Sequence, residues 1–272
     1  MKLAGELLLV GCGKMGGAML EGWLGRGLPP GAAAIIEPNA EIGRALQSRG
    51  LRHFTDADAL PVSLSPAVVL LAVKPQMMDG AATGVARFAR PGTLFLSIAA
   101  GKTLGYFARQ FGERAAVIRA MPNTPAAVGR GISVAVANPK VTPAQRATAE
   151  ALLAAVGEVA WVEHESLIDA VTAVSGGGPA YVYLLMEVLA QAGIAAGLPG
   201  ELAERLARRT VEGAGELSRR SEESPAVLRK HVTSPGGTTL EALKILMAED
   251  GLQPIFTRAI VAATRRSREL AD

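Results

Sequence analysis

Cysteine occurs once in this chain, at position 12, so an internal disulfide is excluded and a reducing compartment fits. Histidine is nearly as scarce, at positions 53, 164 and 231, and no Cys/His spacing resembles a zinc site. Aromatic residues fill only 4% of the 272 positions. A core without them must be built from Ala, Val, Leu and Ile, which suits helices and buried parallel strands better than a sandwich. No large excess of one charge is present: the formal net charge is +3, and the basic residues are dispersed apart from Arg265, Arg266 and Arg268. That group reads as a solvated helix end, and no nucleic-acid partner is expected.

Long apolar runs are few. The first, Leu7 to Val10, is too short for a signal peptide, and a cytoplasmic protein is expected. The longest, Pro179 to Leu198, has the length of a membrane span but carries Glu187 and Gln191, and a helix rich in Arg and Glu follows at once. It reads as a buried helix, with no membrane involved. What the sequence does have is 49% apolar against 19% charged residues, enough for a large core, and a length that suits two domains.

Leu7-Leu8-Leu9-Val10 reads as a buried strand running into Gly11-Cys12-Gly13-Lys14-Met15-Gly16, after which Met15, Met19, Leu20, Trp23 and Leu24 recur at helical spacing. Strand, glycine turn and helix in that order make a dinucleotide site. Gly11 permits the turn, Gly13 lets backbone approach a pyrophosphate, and Gly16 lets the helix pack on the strand. A second strand, Ala32 to Ile36, ends in Glu37, where a carboxylate would bond adenine-ribose hydroxyls and oppose a 2′-phosphate. Arg44 and Arg52 nearby leave a phosphate open. Cys12 reads as a small loop residue, since no base accompanies it.

Alternation continues with a helix from Asn39 to Arg49, a short strand at Leu51 to Phe54, and the apolar strand Val68 to Val73, which brings Ala72, Val73, Lys74 and Pro75 to a strand's C-terminal end, where open parallel sheets bind ligands. A helix from Gln76 to Ala89 and a strand from Thr93 to Ile98 lead to Ala99 and Ala100, small residues that leave room for a flat ring. The strand Ala115 to Ala120 ends in a rigid loop, Met121 to Ala126, displaying Asn123 and Thr124 between two prolines. Gly131 to Ala137 and Glu158 to Val162 are further strands around a helix from Thr142 to Val156. The expected fold class is α/β, with a Rossmann-type doubly wound sheet over residues 1–162 followed by an all-α domain over 163–272.

In that second part Ser166 to Val174 is helical, and Ser175-Gly176-Gly177-Gly178-Pro179 is expected to break it as a hinge. The next helix is apolar on nearly every side, which a small helical domain cannot cover alone, so a subunit interface is expected there. Near the end, Ser234-Pro235-Gly236-Gly237-Thr238-Thr239 empties into a helix, and free N–H groups at a helix start suit a small anion such as a carboxylate.

Five stretches in this order resemble the pyrroline-5-carboxylate reductase family over essentially the whole chain: Gly11 to Gly16, Ala72 to Gln76, Arg119 to Pro125, Ser175 to Tyr181, and Ser234 to Thr239. The last three are the specific ones. Gly177 departs from the family's more usual serine, and Glu37 from the small, polar or basic residues common in members that prefer NADPH. The resemblance implies hydride transfer from NADP(H) or NAD(H) to 1-pyrroline-5-carboxylate, giving L-proline in the last step of proline biosynthesis. It also implies a homodimer built through the helical domain, often assembled into a decamer. The N–H groups of Gly237, Thr238 and Thr239, with the Ser234 hydroxyl, would hold the carboxylate, with Gly236 letting the main chain come close. On the resemblance the Thr239 hydroxyl meets the ring nitrogen, and Glu222, Ser175 and Asn123 line the pocket. The dinucleotide would lie on Gly11 to Gly16, Glu37, Ala72 to Pro75, Ala99 and Ala100.

That chemistry asks little of a protein. A protonated imine is already electrophilic, so positioning is what remains, and no metal is required. The three histidines read as structural or solvated. Two other readings stand beside this one. A β-hydroxy acid dehydrogenase would place a lysine on the long helix, and Pro179 to Leu198 has none. A nucleotide-sensing protein would keep the glycine turn without a carboxylate site.

Overall fold

Side chains along a strand alternate between the two faces of its sheet, so four apolar residues in a row, Leu7 to Val10, demand cover on both. In the structure, a computed structural model that describes residue 3 and residues 5–271, both faces are covered. The chain runs β1 (Glu6–Val10), α1 (Lys14–Gly25), β2 (Ala33–Ile36), α2 (Ala40–Ser48), β3 (Arg52–Phe54), β4 (Pro66–Leu71), α3 (Met78–Val85), β5 (Leu94–Ser97), α4 (Leu104–Phe111), β6 (Ala116–Met121), β7 (Gly131–Ala137), α5 (Pro143–Leu153) and β8 (Gly157–Trp161). The strands form one eight-stranded sheet in the order β3-β2-β1-β4-β5-β6-β7-β8. The first six are parallel, and β7 runs antiparallel to β6 with β8 parallel to β7.

Leu7 and Leu9 pack on one face with Met19, Leu20 and Trp23 of α1. Leu8 and Val10 pack on the other with Met78, Ala82 and Val85 of α3. Burying each such side chain contributes roughly 1.5–3 kcal/mol. Trp23, fully buried, also donates its indole N–H to the Leu152 carbonyl at 2.9 Å, which ties α1 to α5. The capping box at Thr142 and Gln145 starts α5 where the sequence places it.

Some elements differ from expectation. The apolar run at Val68 to Val73 is shifted, since β4 begins at Pro66 and its ladder to β5 ends at Leu71 and Ser97. The helix α4 goes unmarked by the sequence reading. Its signal is Thr103, whose hydroxyl accepts the Tyr106 N–H at 3.0 Å, followed by buried Phe107 and Phe111 at helical spacing.

By compactness the chain divides into Met1–Gly176 with Ala263–Asp272, and Gly177–Ala262. The first unit thus runs past the end of β8, through a short helix α6 (Ile168–Val171), and takes back the end of the last helix. Within it, the Ser267 hydroxyl donates to Asp169 at 2.7 Å. The expected glycine hinge is not found. Thr172–Gly176 forms a wider, π-helical turn, and Gly177 keeps helical backbone angles (φ −80°, ψ −22°). Helical hydrogen bonding absorbs the glycines that in sequence look like a break.

The second unit contains α7 (Gly178–Ala195), α8 (Gly200–Arg220), α9 (Pro225–His231), α10 (Thr238–Leu246) and most of α11 (Leu252–Glu269). Small residues make the seam between α7 and α8: Ala190, Ala203 and Ala207 are buried, and a Cβ on Gly193 would stand 3.3 Å from that of Ala203. Tyr181 stands edge-on to Phe256 of α11 with 6.3 Å between ring centroids, but much of the remaining surface of α7 is exposed within the chain. Val182, Tyr183, Leu184, Leu185, Val188 and Leu189 are each 42–57% exposed, so the helix expected to be buried is not buried by this chain. The helical stretch Glu165–Ala195 is long and apolar enough to cross a membrane by length and composition alone.

Candidate active site

The glycine turn is built by close backbone approaches. Gly11 sits at φ +90°, in the left-handed region, and its N–H donates to the Ile36 carbonyl at 2.8 Å. A Cβ on Gly16 would lie 2.2 Å from the Gly11 carbonyl oxygen and 3.2 Å from the Ala72 methyl group, which brings the end of β4 against the turn. Gly13 caps α1 in extended conformation without a side-chain hydrogen bond, and a Cβ there would meet nothing within 4 Å. No side-chain cap occupies the start of this twelve-residue helix, where its dipole favours an anion. This geometry fits a dinucleotide pyrophosphate. Lys14 is exposed beside it, and Met15 packs against the core.

Cys12 is buried, and burial, followed by the negative charge of Glu37, pushes its thiol up to about 11. It is a packing residue, as expected. At pH 8 the folded protein should therefore react with iodoacetamide on the order of a hundredfold more slowly than the guanidinium-unfolded chain, through its smaller thiolate fraction. Equal rates, read by mass spectrometry, would contradict this placement.

Glu37 is buried at the end of β2. One carboxylate oxygen accepts the Cys12 N–H at 2.8 Å and the other the Asn39 N–H at 2.9 Å. The Glu37 carbonyl meets His53 Nε2 at 2.7 Å, which gives that histidine a structural role. A cavity of about 470 Å³ opens beside the turn, lined among others by Gly11, Pro38, Thr55, Asp56 and Val73. The sequence reading leaves Arg52 free to meet a phosphate, and the structure does not. Arg52 begins β3, at the sheet's opposite edge from Glu37, and pairs there with Glu6, whose carboxyl it holds below the usual range.

The remaining first-unit candidates lie at the ends of successive strands on the same C-terminal edge: Ala72 to Pro75 after β4, and Ala99 and Ala100 after β5. Lys74 is exposed, whereas Ala99 is buried. Two residues on, the sequence reading passes over Lys102, which is largely buried, lies 4.4 Å from the Tyr106 ring centroid and 3.8 Å from Asp79. Asp79 also accepts the Tyr106 hydroxyl at 2.6 Å. After β6, Asn123 donates to the Ser175 hydroxyl at 3.2 Å and accepts the Ile132 N–H at 3.0 Å. Two motifs 52 residues apart are thereby joined. Below them Arg119, buried in β6, pairs with Glu165 at 2.8 Å, and Glu165 also accepts the Leu104 N–H at 2.8 Å. A charge in an otherwise apolar strand is the sequence signal for such a pair.

In the second unit, Ser234 to Gly237 turn into α10, which Gly237 caps in extended conformation. The Gly237 N–H donates to the Ser234 carbonyl at 3.0 Å. That group is therefore engaged in the turn and does not face an anion as expected, which leaves the main-chain donors of Thr238 and Thr239 for that role. Ser234, Thr238 and Thr239 are exposed in the chain, as is Glu222, before α9. His231 lies 3.4 Å from Glu223 on the surface.

A 3-2-1-4-5-6 parallel sheet with an open glycine turn at its first strand end, followed by a helical unit, defines a two-domain dinucleotide-binding protein. Comparison with known proteins carries this further. Residues 165–270 match the family model described as pyrroline-5-carboxylate reductase dimerisation, and residues 6–101 match that of the coenzyme F420-dependent NADP oxidoreductases. The chain is 39% identical over 267 residues to a pyrroline-5-carboxylate reductase of Pseudomonas aeruginosa, covering 98% of this chain and 97% of that one. To the Escherichia coli protein of the same name it is 34% identical, over 96% and 97% of the two chains. Its fold is similar to that of a solved pyrroline-5-carboxylate reductase from Coxiella burnetii, with a TM-score of 0.92, 33% identity and coverage of 99% and 100%. A Plasmodium falciparum pyrroline carboxylate reductase solved with NADP bound gives a TM-score of 0.82 at 26% identity, over 99% of each chain. The chain belongs to the pyrroline-5-carboxylate reductase family.

Proposed function

We propose that this protein reduces 1-pyrroline-5-carboxylate to L-proline with NADH or NADPH, the last step of proline biosynthesis, in the cytoplasm. The observation that carries the reading is the Ser234 to Thr239 turn at the start of α10, in a chain whose glycine turn is shaped for a dinucleotide. The Thr238 and Thr239 N–H groups, with the Ser234 hydroxyl, hold the substrate carboxylate, and Gly236 and Gly237 let the main chain approach it. The Thr239 hydroxyl meets the ring nitrogen and orients the imine. Glu222 is a further substrate contact within the second unit, Asn123 and Ser175 are substrate contacts offered by the first unit, and Glu37, Ala72 to Pro75, Ala99 and Ala100 border the cofactor. The cofactor, when bound, supplies the hydride that C5 of the imine receives. Mixing the pure protein with pyrroline-5-carboxylate and either reduced cofactor should lower nicotinamide absorbance as proline forms. No oxidation with either one would sink the reading.

The helical part over 163–272 is proposed to serve both dimerisation and substrate binding, with the apolar face of α7 against a second copy. Supporting this are the exposed Val182 to Leu189 residues and the dimerisation model that spans them. A charge at the centre of such a face would be buried unpaired. Leu185→Glu is therefore expected to yield monomers or aggregates by light scattering, and an intact oligomer would contradict the interface. The dimers are proposed to assemble further into a decamer, which light scattering of the unaltered protein measures directly.

A further inference from the structure

The end of β2 carries information about which dinucleotide this chain takes. NADPH differs from NADH by a phosphate on the 2′ hydroxyl of the adenine ribose, and the acidic residue after the second strand of such a sheet is the group that meets this position. Here that residue is Glu37, and three features of this end of the sheet set its charge environment.

The first is the Glu37 carboxylate, held from both ends by the Cys12 and Asn39 N–H groups at 2.8 and 2.9 Å. It cannot swing aside to admit an anion without abandoning both donors. Each oxygen keeps a second lone pair, so the pair of ribose hydroxyls, which donate, still finds acceptors. The second is the start of α2, the other local source of anion-binding N–H groups. It is already closed, because the Asn39 side chain accepts the Glu41 and Ile42 N–H groups at 2.9 and 3.1 Å. The third is Asp56, in the lining of the same cavity as Pro38 and Thr55. It accepts the Ala59 N–H at 2.9 Å and the Thr55 hydroxyl at 3.0 Å, and these bonds hold its carboxyl below the usual range.

Cations to offset these carboxylates are few. Arg52 is committed to Glu6 at the opposite edge of the sheet. Arg44 is exposed on α2 and Lys14 at the start of α1, and neither takes part in the hydrogen bonds that fix the two carboxylates. We propose that Glu37, with Asp56, makes this chain select NADH over NADPH, by offering acceptors to the ribose hydroxyls and like charge to a 2′-phosphate. The selection rests on the dinucleotide reading of the glycine turn, and the test separates the two.

The test is equilibrium binding of NADH and NADPH to the full-length protein, followed by nicotinamide fluorescence. The expected result is a Kd for NADH at least about tenfold below that for NADPH, with Glu37→Gln narrowing the ratio to about threefold or less by removing the charge while keeping an amide oxygen. A second measurement needs no variant: 5′-AMP should displace bound NADH at lower concentration than adenosine 2′,5′-bisphosphate. Equal or tighter binding of NADPH, or stronger competition by the bisphosphate, overturns the selection while leaving the dinucleotide site intact. Binding of neither dinucleotide overturns both.

Discussion

Gly16→Ala should weaken dinucleotide binding about hundredfold or more and lower the melting temperature as well. The added Cβ would stand 2.2 Å from the Gly11 carbonyl oxygen and 3.2 Å from the Ala72 methyl group. The nearer obstacle is backbone, so no side chain can rotate away, and the start of α1 has to lift from the ends of β1 and β4. Overpacking of this kind costs about 1–3 kcal/mol in a well-packed core. The displacement also turns the first N–H groups of α1 away from the site where an anion would lie. Gly13→Ala separates the two effects. A Cβ at position 13 meets nothing within 4 Å, and the backbone there, φ −69° and ψ −163°, is open to any residue. Its melting temperature should match that of the unaltered protein while cofactor affinity drops, because the lost property is close approach of a pyrophosphate to the main chain. Unaltered affinity in both variants, by calorimetry, would remove the glycine turn from the cofactor site.

Thr239→Val should lower kcat/KM by about one to two orders of magnitude, the size expected for a good positioning hydrogen bond. The substitution keeps shape and branching and removes only the hydroxyl. Thr239 is exposed near the start of α10, so the melting temperature should change little. Dinucleotide affinity should also hold, since the glycine turn belongs to the other compact unit. Thr239→Ser returns the hydroxyl without the methyl group and should recover most of the activity. A kcat/KM unchanged in the valine variant would exclude Thr239 from the mechanism.

The first half of the molecule was legible because its signals are local. Leu7 to Val10 is apolar on both faces, the glycine turn follows directly, and the resulting strand-turn-helix needs no distant partner to be recognised. Pairs made across long separations were not legible. Arg119 announces a buried partner, but Glu165 is 46 residues away, and nothing in the spacing selects it. Arg52 looked available for a phosphate until the register of β3 put it beside Glu6 at the wrong edge. The glycines at 176–178 promise a break that helical hydrogen bonding overrides, a case of context prevailing over propensity. The Gly237 N–H shows the same limit on a smaller scale, since a tight turn consumes a donor that sequence alone leaves open.

The central claim is that the chain delivers hydride to an imine carbon. The most direct measurement supplies nicotinamide cofactor deuterated at both C4 positions, with unlabelled 1-pyrroline-5-carboxylate, and determines the product by mass spectrometry and NMR. The predicted product is L-proline carrying one deuterium at C5. Proline without deuterium, or no proline while the protein remains folded, would contradict the account.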